Sequence, residues 1–127
     1  MDETIRPVPV NATLIDELRD ETLDAVREDY VSIGRLQSFA EDLSDKLTDL
    51  DVRVVVTEVL ANLANHPAVK VVDADFVHTF ATADEVRAHI DRTWPKDGRR
   101  PSMGEVAWVV KRDFVFPPRS DSAARPS

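Results

Sequence analysis

The three histidines are the residues of this sequence best suited to acid–base or metal chemistry. His66, His78 and His89 are never three or four residues apart, the spacing at which two imidazoles on one helix share a metal ion. His78 alternates with Phe76 and Phe80, and a histidine in such an apolar stretch is more often hydrogen-bonded and partly buried than a ligand or a base. The histidines therefore predict neither a metal centre nor a catalytic base.

Carboxylates offer a second route to metal binding. Asp73 and Asp75 have the Asp-x-Asp spacing that some metal sites use, although the surrounding "VVDADF" is also typical of a hairpin turn. His89 follows Glu85 by four residues, which predicts an exposed pair on a helix. We expect no bound metal and no cofactor.

Motifs for nucleophilic catalysis and phosphate binding are missing from the sequence. No Gly-x-Ser-x-Gly turn presents a serine to a base. Gly34, Gly98 and Gly104 are isolated, so no glycine-rich loop can surround a phosphate. The lack of cysteine excludes thiolate catalysis, disulfides and cysteine-bound zinc, and it is typical of a reducing compartment. We therefore expect a protein that is not an enzyme.

Acidic side chains are concentrated on one side of the first predicted helix. Asp16, Asp20 and Asp24 are spaced four apart, as are Glu17 and Glu21. Like charges at this spacing repel one another unless a cation or a basic partner neutralises them. Two interpretations remain open: a solvated helix face, and a docking surface for a basic protein formed by these five residues.

The net charge of −8 is unevenly distributed along the chain. Residues 1–65 contain 15 acidic and 6 basic residues, a net charge of −9, whereas residues 66–127 contain 9 acidic and 10 basic residues, a net charge of +1. Such a negative field opposes contact with phosphate backbones and speeds association with basic proteins. Charge therefore favours a protein partner over a nucleic acid.

A length of 127 residues and a hydrophobic fraction of 43% are typical of one globular domain. Pro7 and Pro9 predict a flexible arm over residues 1–10, and the Pro- and Ser-rich residues 117–127 predict a disordered tail, which leaves one domain over residues 11–116. The opening "MDETIRPVPV" does not resemble a secretory signal, and no apolar run is long enough to span a bilayer. We expect a cytoplasmic protein that does not bind membranes.

Three segments before residue 66 have apolar residues at helical spacing. The predicted caps are Asn11 for a helix to about residue 30, Ser32 for one to about residue 47, and Asp51 for one that ends at His66-Pro67. The three apolar stripes consist of Leu14, Ile15, Leu18, Thr22, Ala25 and Val26; of Ile33, Leu36, Phe39, Ala40, Leu43 and Leu47; and of Val52, Val55, Val56, Val59, Leu60 and Leu63.

A β-hairpin is predicted directly after the third helix. "AVKVV" (residues 68–72) and "FVHTF" (residues 76–80) alternate as strands do, and "DAD" between them is a turn. Thr82 or Asp84 then starts a fourth helix, and "EVAWVVKRDFVF" predicts a last strand. The predicted apolar positions are Val86, Ile90 and Trp94 in this helix, and Val106, Trp108 and Val110 on one face of this strand.

The order of helix, short strand, helix, helix and hairpin over residues 11–80 resembles the winged-helix family of the helix-turn-helix superfamily. The resemblance implies an α+β fold: winged-helix-like, with three helices and a β-hairpin, to which this chain adds a C-terminal helix and strand. It also implies that the third helix enters a DNA major groove. A second resemblance links "WPKDGRRPSMGEVAW" to the C-terminal part of small uncharacterised bacterial proteins and implies no activity.

The outward side of the third helix is poor in basic residues, of which Arg53 is the only one. DNA-binding proteins derive affinity from several Lys or Arg contacts to phosphates, and specificity from Arg, Lys, Asn or Gln at base edges. The turn-forming Asn62 and Asn65 are equally typical of the C-terminal end of a helix. The candidate nucleic-acid-binding residues are Arg35, Arg53, Thr57, Asn62, Asn65 and Lys70.

Two functions are consistent with the sequence. The favoured one is a non-enzymatic, acidic protein-binding module of the adaptor, inhibitor or toxin-neutralising type on a winged-helix-like scaffold. The alternative is a DNA-binding transcriptional regulator that uses the third helix and the wing, as a homodimer through the added helix and strand. Charge separates them, because a chain with a net charge of −8 must overcome its own field to approach DNA.

Overall fold

The structure, a computed structural model, describes residues 11–44, 47–96, 100–101 and 105–114. These residues form four α-helices and a four-stranded antiparallel sheet, which confirms the predicted α+β class and is compatible with a winged-helix-like arrangement. Along the chain the elements are α1 (Ala12–Val26), β1 (Val31–Ser32), α2 (Ile33–Leu43), α3 (Asp49–Leu63), β2 (Val69–Asp73), β3 (Thr79–Phe80), α4 (Ala83–Thr93) and β4 (Ala107–Lys111).

The predicted arm over residues 1–10 and the predicted tail over residues 117–127 lie outside the described residues. The structure thus describes most, but not all, of the single domain predicted for residues 11–116. None of the helices in the described residues combines the length and the apolar character that a membrane span requires.

Side-chain caps determine where the first three helices begin. Asn11 caps α1 and Ser32 caps α2, as predicted, each accepting a hydrogen bond from the backbone N–H three residues later, at 2.9 and 3.1 Å. The prediction that Asp51 caps α3 is wrong. Thr48 is the cap: its Oγ1 accepts from the Asp51 N–H at 3.1 Å, and the Asp51 carboxylate accepts from the Thr48 N–H at 3.0 Å. This reciprocal capping box satisfies two backbone donors, whereas a cap at Asp51 would satisfy one.

Helices α1 and α2 are shorter than predicted, ending at Val26 and Leu43 rather than near residues 30 and 47. After α1, the next three backbone N–H groups bond to carbonyls of the last turn, and the chain then extends into β1. After α2, Ser44 has an extended backbone with φ −153° and ψ 118°, which cannot continue a helix.

β4 lies inside the sheet, whose strand order is β1-β4-β2-β3. It pairs with β2 over the full length of both strands, from Val69↔Lys111 to Asp73↔Ala107, and with β1 along its other edge. The hairpin expected between β2 and β3 is present, but its second strand forms only an edge of the sheet. Most of the pairing to β2 therefore comes from a strand that follows α4.

β3 is shorter than predicted, because only Thr79 and Phe80 pair with β2. The prediction of a strand at residues 76–78 is wrong. Phe76 has a left-handed backbone, φ 58°, which an extended strand does not allow. The carboxylate of Asp73 instead organises this turn by accepting hydrogen bonds from two loop N–H groups at 2.7 and 3.1 Å.

The hydrophobic core lies between the helices and one face of the sheet. The whole predicted stripe of α3 is 0% exposed, including Leu60 at its centre. Leu43 departs from the prediction, since it is 38% exposed at the end of α2. The α3 assignment is thus confirmed, and the α2 stripe is buried at Ile33, Leu36 and Ala40, with Phe39 half-buried.

The predicted apolar face of β4 is wrong in part. Ala107 and Val109 belong to the main core, so alternation turns Trp108 and Val110 to the other face of the sheet. Val106 was predicted to share their face but has a left-handed backbone, φ 65°, and precedes the strand. Val106 packs in the main core together with Ala107 and Val109, and not on the face of Trp108 and Val110.

Candidate functional site

The acidic face of α1 is the surface that sequence analysis assigned to a partner. All its side chains are exposed, whereas the opposite side of the helix is buried in the core. At 1.5 Å per residue the charges extend over about 12 Å along the helix. The acidic face of α1 consists of Asp16, Glu17, Asp20, Glu21 and Asp24.

Two arginines of the same helix region neutralise part of this face. Arg19 lies 3.3 Å from Asp16 and 3.4 Å from Asp20, and Arg27 lies 3.6 Å from Asp24. Within the described parts of the chain, the two glutamates of the face have no ion-pair partner. Five negative and two positive charges leave a net charge of −3 at this surface.

α4 packs against the outward side of α3, the side that the winged-helix resemblance assigns to DNA. The Arg53 guanidinium lies 3.1 Å from the Asp91 carboxylate and 5.9 Å from the centre of the Trp94 ring. Thr57 donates its hydroxyl to the Arg53 carbonyl at 2.6 Å. Ala61, which follows Arg53 and Thr57 at a spacing of four residues, is 1% exposed. The two central candidates for DNA contact are therefore engaged within the protein.

A second ion pair joins α3 to α4. The Arg87 guanidinium lies 3.0 Å from the Glu58 carboxylate and 3.5 Å from Asp84. The hydrogen bonds that Arg87 donates to the Glu58 carboxylate raise the pKa of Arg87 above its usual value. Arg100 similarly bonds to Glu41 and, at 2.7 Å, to Asp49, and the bond to Glu41 raises the pKa of Arg100. Both guanidiniums stay charged at physiological pH.

The other candidate nucleic-acid contacts lie on three different elements. Asn62 and Asn65 are exposed at the C-terminal end of α3. Arg35 is exposed on α2, with its guanidinium 5.3 Å from the centre of the Phe39 ring. Lys70 on β2 is half-buried, and its ammonium donates to the Phe114 carbonyl at 2.9 Å. In the segment of α3 and its C-terminal end, which the resemblance places in the DNA major groove, Asn62 and Asn65 are the two candidates whose side chains are exposed.

Exposed apolar side chains border the groove between α3 and α4. Leu50 is 67% exposed and Val54 is 40% exposed, one helical turn apart. Together with Ile90 they line a depression of about 210 Å³ that continues toward Trp94. Apolar residues clustered on a folded surface are typical of protein–protein contacts.

All three histidines make contacts within the fold, and those of His78 and His89 differ from the prediction. The His66 Nδ1 atom accepts a hydrogen bond from the Ala68 N–H at 3.0 Å. His78 is exposed rather than partly buried, and its ring lies edge-on to Phe80. His89 does not form the predicted pair with Glu85, because its Nε2 atom lies 2.7 Å from the Val106 carbonyl. The described residues contain no group of three potential metal ligands.

Glu85 is unavailable to His89 because it serves the start of α4. Its carboxylate accepts from the backbone N–H groups of Ala81 and Thr82 at 2.7 and 3.3 Å, while Thr82 caps the helix. The Thr-x-x-Glu spacing before an apolar stripe was a signal for this capping box. Asp73 is likewise used by its turn, as its place in "VVDADF" indicated.

Sequence reasoning missed the apolar border of the α3–α4 groove. Leu50 and Val54 fall outside the buried stripe of α3 and lie four residues apart, so the signal was present in the spacing. The packing of α4 against this side of α3 could not be predicted in the same way, because it depends on the position that α4 takes in the fold after the β2–β3 hairpin.

Comparison of the chain with known protein families, with characterised proteins and with solved structures found no match. Function must therefore be argued from the surfaces themselves.

Proposed function

We propose that this protein is a non-enzymatic protein-binding module that docks a basic partner protein on the acidic face of α1. The observation that carries the proposal is the exposed net charge of −3 on that face, in a chain whose α3 has its outward side packed against α4. A helix face with a residual negative charge attracts basic proteins over distances of about one Debye length, roughly 8 to 10 Å in physiological salt.

The composition of the remaining surface supports a protein partner. Leu50 and Val54 offer exposed apolar contact area, which is of use to a protein and of little use to a phosphate backbone. Arg53 and Arg87, which line the α3–α4 groove together with Leu50 and Val54, are already paired with Asp91 and Glu58. A nucleic acid would have to compete with both carboxylates for them.

Affinity capture tests the proposal with three baits: the wild-type chain, the variant D20K/D24K and the control D42K/D113K. Both double variants change the net charge equally, and the control changes exposed aspartates on other elements. We expect the wild type and the control to retain the same basic protein from a lysate of the native cell, with retention lost at high salt. D20K/D24K should not retain it. Equal retention by all three baits would contradict the proposed docking surface.

DNA binding is the second candidate, favoured by the winged-helix-like element order and by the exposed Asn62 and Asn65. It predicts the opposite response to charge, since removing acid near a phosphate-binding surface tightens nucleic-acid binding. A low-salt DNA shift assay on the same variants separates the two. Tighter binding by D20K/D24K, together with wild-type binding that Arg53→Ala abolishes, would replace the protein-partner proposal.

A further inference from the structure

A cavity of about 300 Å³ lies where the end of α1 meets the loop between α3 and β2 and the end of β4. Val26 and Val69 form its floor and are 4% and 0% exposed. Leu23, half-buried, and the exposed Ala68 complete the apolar part of the wall. The cavity therefore offers a small apolar body a partly enclosed apolar surface, next to the C-terminal end of the acidic face of α1.

The polar part of the lining consists of hydrogen-bond donors. Arg27 and Lys111 are exposed cations on two sides of the opening. His66 accepts a hydrogen bond at Nδ1 from the Ala68 N–H, so the neutral ring carries its proton on Nε2, which is then a donor. Among the described residues that line the cavity there is no carboxylate. Arg112 adds a further cation beside it, donating to the His66 carbonyl at 2.6 Å.

Nearby acids and helix carbonyls weaken this donor set but do not cancel it. Glu28 and Asp29 line a neighbouring depression that shares Val26 and Lys111 with the cavity, and both are exposed, so solvent screens their charges. Asp24 lies 3.6 Å from Arg27, but both side chains are almost fully exposed, at 78% and 79%, so the pair is weak. The carbonyls of Asp24 and Ala25, in the last turn of α1, already accept backbone hydrogen bonds. The negative field of the rest of the chain is screened within about 8 to 10 Å at physiological salt.

From this geometry we propose that the cavity binds a small monocarboxylate with an aliphatic or aromatic body. The apolar body would lie on Val26 and Val69, and the carboxylate, which only accepts hydrogen bonds, would face Arg27, His66 and Lys111. Ligand pockets usually enclose about 300 to 1,000 Å³, so a cavity at the lower limit suits a ligand smaller than a typical cofactor. This proposal does not rest on the proposed function, although the two surfaces meet at the exposed Asp24–Arg27 pair.

The first test uses octanoate as the probe, with octylamine and octan-1-ol as controls that share its chain. Titration followed by amide NMR shifts reports both affinity and location. We expect octanoate to bind at millimolar concentration or more tightly, with the largest shifts at Leu23, His66, Ala68 and Lys111. The alcohol and the amine should both bind at least about tenfold more weakly. The alcohol cannot form a charge-assisted hydrogen bond as the carboxylate does, and the ammonium of octylamine would be repelled by Arg27 and Lys111.

Three variants test the cavity itself. Lys111→Glu reverses one rim charge, Arg92→Glu makes the same charge change at an exposed site on α4, and Ala68→Phe fills the cavity from an exposed position. Lys111→Glu should weaken octanoate binding at least about fivefold, since an exposed attraction becomes a repulsion. Arg92→Glu should leave it unchanged, and Ala68→Phe should abolish it, with thermal melting showing that each variant is folded.

Some outcomes would overturn the proposal. Equal affinity for octanoate and octylamine would show that the donors do not select the ligand. Shifts centred on the α3–α4 groove, or a folded Ala68→Phe variant that binds as the wild type does, would place the ligand elsewhere. An absence of any shift at millimolar octanoate would remove the site. None of these results bears on the acidic face of α1, so the two proposals fail separately.

Discussion

Truncation of Leu60 to alanine tests the arrangement of the core on which both proposed surfaces depend. Leu60 is 0% exposed on α3, within the cluster that also contains residues of α1, α2 and β2. The change removes three carbon atoms, worth about 0.8 kcal/mol each in transfer free energy, and leaves a cavity. The total cost should therefore fall within the usual range of about 2 to 5 kcal/mol for a buried leucine.

Leu50→Ala is the matched control, because it deletes the same atoms from the same helix at a position that is 67% exposed. It should cost less than about 0.5 kcal/mol, as surface substitutions usually do. Urea unfolding followed by the fluorescence of Trp94, which is 6% exposed, measures both. With a slope of about 2 kcal/mol per molar urea, Leu60→Ala should lower the midpoint by about 1 to 2.5 M. Equal losses for the two variants would refute the orientation of α3.

Three further changes test particular contacts. At Val106, whose φ is 65°, glycine should be more stable than alanine by about 1 kcal/mol in urea unfolding, the reverse of the usual order. Thr48→Ala should cost about 0.5 to 2 kcal/mol in the same assay, and a smaller loss would mean that Thr48 does not cap α3. A double-mutant cycle on Arg53 and Asp91 should give a coupling of about 0.2 to 1 kcal/mol that falls with added salt, and zero coupling would contradict the α3–α4 ion pair.

Local features of the fold could be predicted from the sequence because their determinants lie within one or two helical turns. Asn11 and Ser32 cap helices through N–H groups three residues away. The stripe of α3 is buried at every predicted position. The class of fold followed from the order of these elements. The errors at the ends of α1 and α2 are also local, because a few residues determine where each helix ends.

Features that depend on distant parts of the chain could not be predicted. β2 pairs mainly with β4, which lies 34 residues beyond its end at Asp73, counting to Ala107. Phe76 and Val106 have left-handed backbones, a conformation that favours glycine, so the residue types at these positions do not predict it. Tertiary packing holds both: the Phe76 ring stacks on Trp108 at 5.1 Å, and Val106 is 4% exposed.

The candidate site was predictable to a similar extent. The acidic face of α1 followed from spacing alone, and its exposure agrees with that spacing. The engagement of Arg53 by Asp91 did not follow, because 38 residues separate the two. The donor-lined cavity draws Arg27, His66 and Lys111 from three distant segments, so no motif could reveal it.

The association rate of the captured partner with the wild type and with D20K/D24K, measured over a range of ionic strength, tests the central claim most directly. Electrostatic attraction acts mainly on association, so the account predicts a wild-type rate that falls steeply with added salt. D20K/D24K should associate at least about tenfold more slowly at low salt, and the two rates should converge at high salt. Equal rates at low salt, with no dependence on ionic strength, would contradict docking on the acidic face of α1.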